Sequence, residues 1–210
     1  MNRSSITPVE PAHKVALCVG WPSTWKRSGR KVEALLTRAS DRDGSFRAHS
    51  ANVAAISVRV GEELGLADDE LEILELAAEV HDVGKLFVPE IVLSKPGRLD
   101  EGEWETMRRH PQAGAELLGT CAVRAEVLEI VRSHHERWDG DGYPDGLSGL
   151  QIPLGARIIA VADAYCAMIE ARPYRPPRRT TVARAELLAH AGKQFDSSCA
   201  QAAYRIVDYR

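Results

Sequence analysis

An all-α fold is what this sequence predicts, and three observations predict it. Apolar residues recur at three- and four-residue spacing through most of the chain after residue 45, no stretch alternates as a half-buried strand would, and helix start and stop signals punctuate the periodic segments. With 210 residues, 44% of them hydrophobic, the chain can form one domain with a sizeable core. Its 30 acidic and 27 basic side chains leave a net charge of -3, which disfavours a DNA or RNA polymer, or an anionic membrane surface, as the general partner. The apolar run Val15 to Val19 is too short for a signal-peptide core and no 18-residue apolar stretch exists, so no membrane insertion and a cytoplasmic location are expected. Cys18, Cys121, Cys166 and Cys199 lie far apart without a C-x-x-C pair and read as reduced thiols.

Residues 1–44, rich in Ser, Pro, Lys and Arg, read as a linker or the remnant of a regulatory segment, and 45–210 as the main domain. Within the first segment, Val15 to Val19 suggests a lone strand, Lys31 to Arg38 a short helix and Asp41 to Gly44 a turn. The main domain opens with a helix from Phe46 to Leu64, whose stripe is Val53, Ile56, Val60 and Leu64 and whose stop is Gly65. His49, four residues before Val53, falls on that inward stripe. A second helix starts at Asp68-Asp69, runs through Leu71, Leu74 and Ala78 and ends around His81-Asp82. Asp100 and Glu103 have the spacing of a capping box, opening a helix that runs to about His110, where Pro111 starts another that Gly119 closes. From Ala122 to His135 the stripe is Val123, Val127, Ile130, Val131 and His134, so a histidine again sits among apolar neighbours. Glu136 to Gly149, with five Gly or Pro residues, is a shaped loop, after which Pro153 starts a long helix through Met168. Segments 181–191 and 197–207 complete a bundle of about seven or eight helices.

His81-Asp82, His110, His134-His135 and Asp163 thus come from separate helices. Imidazole and carboxylate suit divalent Zn, Fe, Mn and Ni, and a carboxylate can bridge two ions, so this inventory exceeds the needs of one tetrahedral site. Taken singly, each histidine is more often a hydrogen-bonded core residue than a ligand. Asp163, inside the apolar run Arg157 to Ala164, needs a cationic partner, because an unpaired charge there costs several kcal/mol.

His81-Asp82-Val-Gly84-Lys85, followed by His134-His135-Glu136-Arg-Trp-Asp139-Gly140-Asp-Gly142-Tyr143-Pro144, resembles the two signatures of the HD-GYP domain in their expected order. The resemblance extends from about Arg47 to Val207 and includes His49, His110-Pro111, Ala156-Arg157, Arg172-Pro-Tyr174-Arg175 and Phe195-Asp196. It implies an all-helical, metal-dependent phosphodiesterase that cleaves cyclic di-GMP to pGpG and, in some members, GMP. The alternatives are hydrolysis of another cyclic dinucleotide, or a catalytically weak module that binds nucleotide or a protein partner. Carried over by position, the implied metal ligands are His49, His81, Asp82, His110, His134, His135 and Asp163, with Asp82 bridging and Lys85 as the electrostatic helper in catalysis. Tyr143, Arg172 and Arg175 are the implied substrate contacts, Tyr143 through a guanine stack. Ser45 stands where three-metal members carry Glu, so two divalent ions are expected, Fe or Mn. Cys166 replaces the usual second Asp of the Asp163 helix and is expected behind the ligands, and Asn52 replaces a frequent Arg. Besides cyclic di-GMP, the candidate partners are a signalling protein or a second copy of the chain.

Overall fold

The computed structural model describes residues 26–171 and 176–207, and its architecture is helical throughout. In order come α1 Lys26–Arg42, α2 Phe46–Leu64, α3 Asp68–Val80, α4 Glu90–Leu93, α5 Glu101–Arg108, α6 His110–Gly119, α7 Ala125–Ser133, α8 Leu154–Ile169, α9 Thr180–Ala189 and α10 Ser197–Ile206. Nine of these helices follow Gly44 among the described residues, and the one beyond the expected eight is α4, four residues too short to show a period. No strand occurs among the described residues beyond a single bridge, Ala191 to Phe195. The strand suggested at Val15 to Val19 lies outside the described residues.

The central pair is α2 and α8, with α3 and α10 against α2, and α7 beside α3 and α8. α8 is apolar almost all round, with Ala156, Ile158, Ile159, Val161, Ala162, Tyr165, Cys166 and Met168 buried, the mark of a helix enclosed by others. α2 stops at Gly65, whose positive φ of 82° turns the chain so that the Leu66 N–H bonds the Gly61 carbonyl at 3.0 Å. The capping box forms as the spacing predicts: Asp100 Oδ1 accepts the Glu103 N–H at 2.9 Å and Glu103 Oε2 accepts the Asp100 N–H at 2.8 Å.

The core starts before the expected boundary at residue 45. Lys31 to Arg38 reads as a short helix, yet α1 spans Lys26–Arg42 and buries Val32, Leu35, Leu36 and Ala39 in the same cluster as α2 and α3. The reason is that this i, i+3, i+4, i+7 stripe is flanked by a dense run of Lys and Arg, which masks it in composition. The expected turn also moves on by two residues, because Asp41 and Arg42 close α1. Arg42 then donates to the carbonyls of Lys85, Leu86 and Val88, fixing the segment that follows His81-Asp82.

Candidate metal centre

α3 ends at Val80, and a 3-10 turn, Val83–Phe87, carries the chain away from His81 and Asp82. This turn lies against the start of α6 with no room for a side chain: a Cβ on Gly84 would sit 1.9 Å from the His110 carbonyl oxygen. That contact brings Asp82 beside His110. His134 caps α7, whose packing against α6 completes the approach.

Three of the histidines share one device. His81 Nδ1 lies 2.7 Å from the Ala78 carbonyl, His110 Nδ1 2.7 Å from the Met107 carbonyl, and His134 Nδ1 2.6 Å from the Val131 carbonyl. A carbonyl only accepts, so each Nδ1 carries the proton and each Nε2 is the nitrogen presented inward. The Nε2 atoms of His110 and His134 face each other at 3.4 Å, two lone pairs that a shared cation would reconcile.

Asp82 sits between two groups of ligand atoms. Its Oδ1 lies 3.3 Å from His110 Nε2 and 4.0 Å from His134 Nε2, and its Oδ2 lies 3.4 Å from His81 Nε2 and 2.5 Å from Lys85 Nζ. Ligand atoms of Asp82, His110, His134 and His135 all fall within 4.8 Å of one another, as do those of His49, His81 and Asp82. Asp163, expected to be buried, keeps 22% of its side chain exposed and places Oδ1 3.1 Å from His49 Nε2. It opens onto a cavity of about 210 Å³ lined by His134, His135, Glu136, Arg137, Asp163 and Phe195 among others.

The donor set fits a divalent cation on two structural grounds. Among the described residues, His81 Nε2 and Asp82 Oδ1 are buried without a hydrogen-bond partner, a cost that a coordinated ion removes. The electrostatics agree: burial opposes charge on Asp82, yet Lys85 and His81 hold its carboxyl well below the usual range, so it stays an anion. Burial and the neighbouring imidazoles push His134 well below its ordinary value, and burial with His110 pulls His135 down to about 3, so both are neutral donors. Burial opposes protonation of His49, but hydrogen bonds to Asp163 and Glu170 overcome it and raise the group to about 10. Both ring nitrogens of His49 thus face carboxylates, and the Nε2 proton is the one a metal ion would displace.

The rest of the expected set is placed as follows. Lys85 is 37% exposed and ion-paired to Asp82. Tyr143 lies against His135, ring centroids 4.9 Å apart, with the Arg108 guanidinium 5.7 Å from its own ring, and burial pushes its phenol up. Cys166 is fully buried on α8, one turn beyond Asp163. Arg172 and Arg175 lie outside the described residues.

Two residues carry parts that the motifs did not reveal. Glu136 is buried and its Oε1 accepts the backbone N–H groups of Asp145 at 2.7 Å and Gly146 at 3.1 Å, holding the loop that presents Tyr143. That loop also needs Gly142, where a Cβ would lie 2.4 Å from the Arg137 nitrogen. Glu170, at the end of α8, places Oε2 2.8 Å from His49 Nδ1 and Oε1 3.0 Å from Asn52 Nδ2. Its signal in the sequence is position: Glu170 follows Asp163 by seven, and Asn52 follows His49 by three, so each pair shares a helix face.

Comparison with known proteins places the chain in a family. The chain matches the HD domain over residues 33–199. It is 44% identical over 180 residues to the cyclic di-GMP phosphodiesterase response regulator RpfG of Xanthomonas campestris pv. campestris, covering 84% of this chain and 47% of that one. It is 40% identical over 151 residues to the 3'3'-cGAMP-specific phosphodiesterase 2 of Vibrio cholerae, covering 71% of this chain and 29% of that one. The chain therefore spans less than half the length of these curated relatives. Among solved structures, Bd1817, a HDG"Y"P protein from Bdellovibrio bacteriovorus, superposes with a TM-score of 0.62 at 22% identity, over 86% of this chain and 61% of that one, a likeness of fold. With the matched domain, these relatives and both signatures in order, the chain belongs to the metal-dependent HD domain family, in its HD-GYP branch.

Proposed function

We propose that this domain is a metal-dependent phosphodiesterase that hydrolyses cyclic di-GMP to pGpG, and onward to GMP where the linear product re-enters the site. One observation carries the reading: the two groups of ligand atoms share Asp82, with Oδ1 toward His110 and His134 and Oδ2 toward His81. In the proposed centre His81 and His49, with Asp163, hold one divalent ion, and His110, His134 and His135 hold the other, with Fe or Mn as the metals. Such a pair of ions supplies a water of lowered pKa and neutralises phosphoryl charge.

The chain's own residues supply the remainder. Asp82 stays ionised and fixes the spacing of the two groups. Lys85, with Nζ on Asp82 and part of its side chain open to solvent, is a compact cation beside the place where a phosphoryl oxygen gains charge. Glu136 and Gly142 hold Tyr143 at the rim, against His135, where its exposed portion meets a guanine. Arg172 and Arg175 are proposed to grip phosphate. A cytoplasmic setting, with regulation by a signalling partner or a second copy of the chain, belongs to the same reading. No helix among the described residues is long and apolar enough to cross a membrane.

The test is turnover of cyclic di-GMP and of 3'3'-cGAMP by protein reconstituted anaerobically with Mn or Fe. Preferential cleavage of cyclic di-GMP supports the reading. Preference for 3'3'-cGAMP would reassign the substrate while keeping the centre, and full metal loading with neither cleaved would reduce the domain to a nucleotide-binding module.

A further inference from the structure

His49 differs from the other helical histidines of the centre in what holds its outer nitrogen. His81, His110 and His134 stand at helix ends, where the carbonyl three residues back is open to Nδ1. His49 is the fourth residue of α2, inside a helix whose carbonyls are taken by the helical ladder. A partner for its Nδ1 must come from another element. Glu170, the residue that closes α8, provides it: Oε2 lies 2.8 Å from His49 Nδ1 while Oε1 accepts Asn52 Nδ2 at 3.0 Å. Asn52 stands one turn beyond His49 on α2, so the carboxylate is gripped at both oxygens and its direction is fixed.

We propose that Glu170 is a positioning residue for one of the two metal positions: it orients His49 through Nδ1 so that Nε2 points at the ion shared with His81 and Asp82, and Asn52 locks it in place. The proposal rests on the two-metal reading. His49 Nε2 lies 3.1 Å from Asp163 Oδ1 and belongs to the group with His81 and Asp82, so the orientation Glu170 imposes is the one that converges on that group. A carboxylate behind a ligand imidazole also raises its basicity and fixes its ring. The second group, with His110, His134 and His135, has no part in this arrangement.

The experiment is an Mn²⁺ titration of metal-free full chain, with free Mn²⁺ followed by electron paramagnetic resonance, for wild type, Glu170→Ala, Glu170→Gln and Asn52→Ala. Wild type is expected to bind in two steps. Glu170→Ala weakens one step by about 10- to 100-fold and leaves the other unchanged. Glu170→Gln, which keeps an acceptor oxygen without the charge, loses less, and Asn52→Ala loses less still. Glu170→Gln also serves as the nearly isosteric variant if the alanine form does not fold. Two steps of wild-type strength in both Glu170 variants would overturn the role of Glu170 while leaving the centre intact. Equal weakening of both steps with a lowered melting temperature would show that Glu170 merely ties α8 to α2. Wild type that binds no Mn²⁺ would defeat the two-metal reading itself, and a single step insensitive to Glu170 would overturn this role.

Discussion

His81, His110 and His134 each bond the carbonyl three residues back, so the helix end that brings them to the core also selects the nitrogen they present. This part of the centre was legible in the sequence, because the histidines fall next to helix stop signals or at the end of an apolar stripe. Glu170 was not, since a lone acid at the end of an apolar helix has no local pattern and finds its partner on α2, 121 positions away. Asp163 was legible as a carboxylate needing a cation, but its exposure depends on a cavity formed with residues from two other parts of the chain, 134–137 and 194–195. At this scale, Lys85→Met is expected to lower kcat for cyclic di-GMP by about 10²- to 10³-fold with metal content unchanged, checked by kinetics and metal counting on one sample. Loss of metal alongside activity would instead assign Lys85 to holding Asp82. Cys166→Asp puts a carboxylate where no surface is exposed, and thermal melting should show a clear loss of stability, on the order of 1–3 kcal/mol. An unchanged melting curve would mean that a cation reaches that position.

Helices carry the next level, and their joints matter more than their lengths. Eight of the main-domain helices are readable from stripes and caps, whereas α1 is hidden in basic residues and α4 is a single turn. The joint between the 3-10 turn and α6 is invisible in a periodicity, for it depends on the absence of a side chain at Gly84, and the motif shows only that a glycine stands there. Gly84→Ala would force the turn off the His110 carbonyl and separate Asp82 from His110, at an expected cost above about 3 kcal/mol and with loss of metal. Chemical denaturation and metal analysis check this, and a variant with wild-type stability and metal content would show that the two backbones have room to part. A second joint is the pair of half-buried Arg157 and buried Asp196, 2.6 Å apart, with Asp196 also capping α10 through the Ser198 N–H at 2.7 Å. Arg157→Ala leaves a buried carboxylate on that cap, and denaturation should show a loss of about 3–5 kcal/mol.

Across the whole molecule, acids from α1 and α3 meet where the first helix closes over the core. Burial, then the charges of Glu75 and Glu33, raise Glu79 from 4.5 to about 7. A carboxyl raised by folding binds its proton more tightly in the native state, so its contribution is fully present below pH 4.5 and lost as the pH rises through about 7. Glu79→Gln should therefore stabilise the protein at pH 8, by on the order of 1–2 kcal/mol after solvent screening, and change little at pH 4. Equal effects at both pH values would assign the gain to packing instead of charge. In the proposed centre, candidate ligands from five helices and their ends converge around one carboxylate, and metal stoichiometry in the wild type, His49→Ala and Asp82→Ala reads that convergence most directly. The account predicts two ions per chain in the wild type, one in His49→Ala and none held tightly in Asp82→Ala, whereas a wild type with one ion, or an Asp82→Ala variant that keeps two, would contradict it.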